Sequence, residues 1–296
     1  MENLINTNYV RVEKRKRLSQ RIMFMIFRVL SWTVVLILLA ILGFIIKNGA
    51  GVLSWEFLTE APTDGMTKGG IYPAIIGTLY LVAGSMLFSL PLGILSGIYM
   101  NEYARNGRLI RFIRVMTNNL SGVPSVVFGI FGLALFVNWF GWGDSLLAGS
   151  LTLGLLILPV IIRVTEESLK SIDNSYREGS RALGASKLQT ISRVILPMAF
   201  PNILTGVILA VGRVAGETAP ILFTAAAFYL PTLPHSVFDQ VMALPYHLYV
   251  IAVSGTDLEA TRPMAYGTAL VLILIVLILN LLANVARRYF ERKYEK

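Results

Sequence analysis

The sequence predicts an all-α membrane protein of six transmembrane helices with both termini in the cytoplasm. Three observations carry this. Of 296 residues, 55% are hydrophobic and 15% charged, whereas a soluble domain is about a quarter charged. The apolar residues fall in blocks, and about 20 in a row suffice to cross a bilayer. The basic residues sit at alternate ends of those blocks. Of the 26 Lys and Arg, 22 lie in residues 1–28, 105–114, 163–193 and 287–296. The opposite loops hold Lys47, Lys68 and Arg262, and Arg213 lies inside a block. This bias places the basic loops in the cytoplasm, and an even number of crossings returns the chain to its starting side. The net charge of +9 therefore reads as orientation in a lipid bilayer, not as a nucleic-acid surface.

Residues 1–21 are polar and basic. The first span, Ile22–Ile46, is full length and no small-residue cleavage site follows it, which argues against a secretory leader. Residues 47–70 form a loop rich in turn formers, among them Asn48-Gly49, Asp64-Gly65 and Gly69-Gly70. The second span runs from Ile71 to Met100 and carries Pro91. A membrane helix tolerates an internal proline because neighbours satisfy the freed carbonyl. The third apolar region, Phe112–Phe140, is interrupted by Asn118, Asn119, Ser121, Gly122, Pro124 and Ser125. It reads either as one bent helix in the bundle or as a segment lining a pathway, because irregular backbone at membrane depth needs protein or water beside it. The fourth span is Leu146–Val164 and the fifth is Met198–Phe228. Between Tyr229 and Arg262, the stretch Val237–Val253 reads as an interfacial or re-entrant helix. Met264–Val285 is the sixth span. The chain divides into 1–68 (tail, first span, outer loop), a five-span core over 69–288, and a charged tail at 289–296. No internal repeat is visible, which weighs against transporter folds built from repeats.

Several chemistries are excluded. The chain has no cysteine, hence no disulfide, thiolate nucleophile or Cys-ligated metal. It has no Gly-x4-Gly-Lys-Ser/Thr phosphate loop. Its two histidines, His235 and His247, share one outer loop, and the only acidic residue within the spans is Glu217. An enzyme is unsupported and no cofactor or metal is expected. Energised work would draw on a partner or an ion gradient.

Two stretches draw attention. In Glu166–Ile195, the one sizeable polar segment between spans, Leu188, Ile191 and Ile195 are spaced to share a helical face, and Gly184 permits a turn between two short helices. Pro197 marks the boundary into the fifth span. In that span Arg213 and Glu217 are four residues apart and so share a face. Gly212 and Gly216 are spaced for close packing against another helix. A charge at this depth costs at least ~2.5–3.5 kcal/mol. The pair is either an internal brace or a part of a solute path, and both readings stand.

These residues resemble a known family. Glu178-Gly179-Ser180-Arg181-Ala182-Leu183-Gly184, followed by Ile195-Leu196-Pro197, is similar to the loop of permease subunits of ATP-binding-cassette importers, although Gly179 and Ser180 stand where that family has a double Ala. VGRVAGETAPILFTA, GGIYPAIIGTL and LSGVPSVVFGIFGL resemble the A-type permeases of phosphate importers. The resemblance spans about Gly69–Val285 and implies a type I importer permease fold. It implies a role in ATP-driven phosphate import for a subunit that is not itself an enzyme. The implied partners are a C-type permease, two copies of an ATPase that binds the ATP and Mg, and an extracytoplasmic phosphate-binding protein, in the cytoplasmic membrane. It assigns Glu178, Ala182, Gly184, Ile195 and Pro197 to contact with the ATPase. On that reading Arg213, Glu217, Asn118, Asn119, Ser121 and Ser125 are candidates for the translocation pathway. The alternatives are an importer of sulfate or molybdate, or a gradient-driven transporter acting alone.

Overall fold

The structure is a computed structural model describing residues 2–105, 107–254 and 258–294. Its elements in chain order are α1 (Glu2–Gly49), α2 (Trp55–Thr59), a hairpin of β1 (Pro62–Thr63) and β2 (Lys68–Gly69), α3 (Tyr72–Ile98), α4 (Arg108–Leu120), α5 (Ser125–Gly132), α6 (Leu146–Lys170), α7 (Asn174–Ala182), α8 (Lys187–Thr190), α9 (Leu196–Gly216), α10 (Ala219–Leu222), α11 (Leu244–Tyr249) and α12 (Leu258–Tyr294). Among the described residues, five continuous helices are long and apolar enough to cross a membrane: Ser19–Val52, Tyr72–Tyr103, Leu146–Lys170, Lys187–Gly216 and Thr261–Phe290.

The third expected span is bent, as its interruptions indicate, and more sharply than a kink. Arg108–Leu120 and Ser125–Trp139 meet at 104° and do not form one rod. Pro124 stops the helix because it has no N–H to donate and forces its predecessor out of helical geometry. The first arm, α4, is amphipathic. Arg108, Arg111 and Arg114 share its sequence with exposed Leu109, Phe112 and Met116, the pattern of a helix lying along an interface. The second arm enters the bundle. Gly132 brings it close to α6, where an added Cβ would stand 2.2 Å from the Thr152 hydroxyl oxygen.

The fifth span is corrected at both ends. It begins earlier than expected, at Lys187, and passes through a π-helical turn at Ile191–Ile195 just before Pro197. It ends earlier too. Glu217 is extended (φ −76°, ψ 128°). Pro220 lacks the N–H that would bond the Gly216 carbonyl, and its ring would crowd that carbonyl.

The core lies between α3, α6 and α9, with α5 and α10 closing it. Leu81, Met86, Leu153, Leu156, Ile157, Ile161, Ala210, Val214 and Ile221 are buried there. α1 sits outside, touching α12 through Phe44 against Tyr266. The long loop after α10 is woven into the bundle rather than draped over it. Val241 donates to the Ala225 carbonyl, and Leu244 N–H donates to the Thr78 hydroxyl at 2.8 Å. The helix expected over 237–253 is confined to 244–254, with a turn at 236–239 before it; Pro245 stands in its first turn.

Two ends follow from these contacts. One gathers residues 50–70, 140–146 and 224–245. The other gathers the ends of α3 and α6, the start of α4 and the 171–193 segment. It also holds the start of α9 and the end of α12, where Arg287 donates to Thr205 and Phe200 meets Phe290. Three of the four basic stretches are thus seen to share an end.

Candidate functional site: an intramembrane ion pair and a loop at the basic end

The ion pair forms where α9 stops. Arg213 Nε donates to Glu217 Oε1 at 3.1 Å, with the arginine side chain 41% exposed and the glutamate 15%. Glu217 sits just past the last helical residue, so the pair spans the helix end rather than one face of a rod. Glu217 also lines a narrow crevice with Thr78, Leu81, Leu153, Ala243 and Pro245. At 1.5 Å per residue, Thr78 and Leu81 lie roughly 9–14 Å into α3 from its outer end. The pair is therefore within the bundle, where an isolated charge is expensive. The two glycines divide. Gly212 faces α12, with an added Cβ 3.2 Å from Asn280 Oδ1, while a Cβ added at Gly216 would meet open space.

The other pathway candidates are not grouped around this pair. Asn118 lines a polar cavity of about 130 Å³ at the basic end with Met100, Arg114, Thr117, Glu166 and Lys170. There Glu166 Oε1 is held at 2.7 Å by both Arg114 Nε and Lys170 Nζ. Asn119 is exposed on α4, and Ser121 donates to the Thr117 carbonyl. Ser125 opens α5, the arm that packs on α10 through Gly129 and so reaches the chain just beyond Glu217.

The segment between α6 and α9 folds into two short capped helices. Asp173 accepts from Ser175 N–H and caps α7, a bond that holds its carboxyl below the usual carboxylate range. Ser186 and Gln189 cap α8 reciprocally. Between them Gly184 has φ +81° with open space around it, so backbone conformation alone demands glycine. Glu178, Ala182 and Gly184 are exposed together. Leu183 is 91% exposed and Leu188 66%, an apolar pair on an otherwise polar tip. Of Leu188, Ile191 and Ile195, the expected shared face, Ile191 and Ile195 are buried at either end of the π-helical turn, whereas Leu188, one turn earlier in α8, stands exposed at the tip. Ile195 packs on Leu169, Ala199 and Ile203, and Pro197 is half-buried. Neither belongs to the exposed tip.

Reading the residues alone missed Glu102, Arg114, Glu166, Arg177 and Asn280. Each is an ordinary charged or amide residue near or within a span; only their burial and partners distinguish them.

Residues 89–296 match the family described as binding-protein-dependent transport system inner membrane component. A probable ABC transporter permease protein, YqgI of Bacillus subtilis, is 38% identical over 259 residues, covering 84% of this chain and 88% of its own. The phosphate transport system permease protein PstA of Haemophilus influenzae is 34% identical over 258 residues, covering 86% and 87%. A probable PstA of Methanocaldococcus jannaschii is 34% identical over 262 residues, covering 88% and 91%. Among solved structures, a chain of a bacterial alginate ABC transporter aligns with TM-score 0.64 at 16% identity over 90% of this chain and 93% of that one. A chain of the inward-facing MetNI methionine transporter aligns with TM-score 0.56 at 17% identity over 74% and 97%. These two likenesses are of fold, and the fold is that of these ABC transporter chains.

Proposed function

The chain belongs to the family of binding-protein-dependent transport system inner membrane components, and from that premise we propose that it is the A-type permease subunit of an ATP-driven inorganic phosphate importer. The observation that carries the solute is the extent of likeness to phosphate permeases, at 34% identity over most of both chains. Arg213 agrees with it chemically. A guanidinium offers a donor fork that matches phosphate oxygens, and Glu217 keeps it from binding an anion too tightly to release. Ser125, Ser121, Asn118 and Asn119 complete the proposed lining at lower weight, since Asn118 belongs to a different cavity.

The exposed tip around Gly184 is the proposed contact with a separate ATPase. Leu183 and Leu188 supply apolar contact; Glu178 and Arg181 supply orientation. ATP and Mg would be bound by that ATPase, and this chain would be non-catalytic. Two ATPase copies, a C-type permease and an extracytoplasmic phosphate-binding protein complete the assembly. Its place is the cytoplasmic membrane, with the basic end inside. The test is anion competition on the whole complex: uptake of labelled phosphate should be suppressed by unlabelled phosphate and left intact by equal sulfate or molybdate. Suppression by sulfate or molybdate instead would reassign the solute.

A further inference from the structure

The polar contacts of the loop converge on one place outside it. Arg177 Nη2 and Nε both reach Glu102 Oε1, at 2.7 and 3.2 Å. The same guanidinium donates to the carbonyls of Leu169 and Ile172, at 2.8 and 2.9 Å, closing the end of α6. The side chains are 13% and 6% exposed. Lys187, at the start of α8, bonds the Glu102 carbonyl and lies 4.6 Å above the Tyr103 ring. Asn101 donates to the Glu102 carboxylate at 2.8 Å. Glu102 and Tyr103 belong to a π-helical turn, Tyr99–Tyr103, that continues α3 to its end. From that turn the Met100 carbonyl accepts from Arg114 Nη2 at 3.2 Å, and Arg114 is paired to Glu166.

We propose that Glu102 and Arg177 form the joint that fastens the coupling loop to α3 and, through Arg114, to α4, the first arm of the broken span. The inference rests on the reading of that loop as the ATPase contact. By covalent continuity alone the loop would move α6 and α9. The buried pair, with two guanidinium nitrogens on one carboxylate oxygen, makes α3 and α4 move with it. Buried pairs of this kind are held tightly because either charge alone would be stranded. π-helical turns stand on both sides of the joint, at Tyr99–Tyr103 and Ile191–Ile195, and such turns recur at sites of functional rearrangement. Glu102 and Arg177 are positioning residues; neither is assigned contact with solute.

The test measures phosphate moved per ATP hydrolysed by the complete complex in proteoliposomes. Glu102→Gln should keep ATP hydrolysis near the parent rate while phosphate per ATP falls about tenfold, the usual size of a coupling energy. Glu102→Asp should restore much of the ratio. An unchanged ratio in Glu102→Gln would overturn the joint. If that variant does not assemble, Lys187→Met decides. Its side chain is exposed, so the fold should survive, and its ratio should fall about twofold, as for one exposed polar link. An unchanged ratio there would likewise overturn the proposal. Failure of the parent complex to import phosphate would instead refute the functional assignment, so the two failures are distinguishable.

Discussion

Arg213 spends one of its five N–H donors on Glu217, and a guanidinium so placed can do two different things. As a brace, its loss would cost assembly. As a phosphate contact, its loss would cost transport in an assembled complex. The account predicts the second for Arg213→Gln: normal yield of complex and phosphate uptake lowered by roughly 10- to 100-fold, the range of a charge-assisted hydrogen bond. Co-purification with uptake on the same sample separates the outcomes, and full uptake in both Arg213→Gln and Glu217→Gln would remove the pair from the pathway. A second residue-scale expectation concerns packing. At Gly132 an added Cβ would collide with Thr152, so Gly132→Val should destabilise the folded chain by about 1–3 kcal/mol, measured as a lower thermal midpoint in detergent. The charge pair was legible from spacing alone. Its position beyond the helix end was not, since Pro91, Pro159 and Pro201 are carried inside helices while Pro220 stands in the first turn of the next one.

At the scale of elements, the six expected spans were legible because each is an apolar run flanked by charge. For the third, the site of the bend was legible from its interrupting residues and the size of the angle was not. Composition marks where a helix weakens; the angle of the two arms depends on what each packs against. α4 keeps all its apolar residues but Ile110 exposed, and α5 is drawn inward by Gly129 and Gly132. The loop between α6 and α9 was legible in its turn and its start, and misread in the extent of its buried face, since spacing does not show that nothing packs against the tip at Leu188. Two predictions belong here. Gly184→Val places a β-branched residue at positive φ, which costs about 1–2 kcal/mol. It should weaken ATPase association while leaving the spans folded. Leu183→Asp with Leu188→Asp should lower recovery of the ATPase in pull-downs by at least about tenfold, as loss of an apolar anchor does. Undiminished recovery would move the contact elsewhere.

For the whole molecule, the account sets the basic end in the cytoplasm and drives the solute path from there. The absence of cysteine makes orientation directly measurable. A maleimide that cannot cross the membrane should label Lys68→Cys from outside and Arg181→Cys only after permeabilisation; the reverse pattern would invert the topology. The most direct test of the central claim is labelled-phosphate uptake by proteoliposomes holding the complete complex and the binding protein. The account predicts uptake that requires hydrolysable ATP on the side of the loop and persists when proton and sodium gradients are collapsed. Uptake that ignores ATP and disappears with the gradient would contradict it.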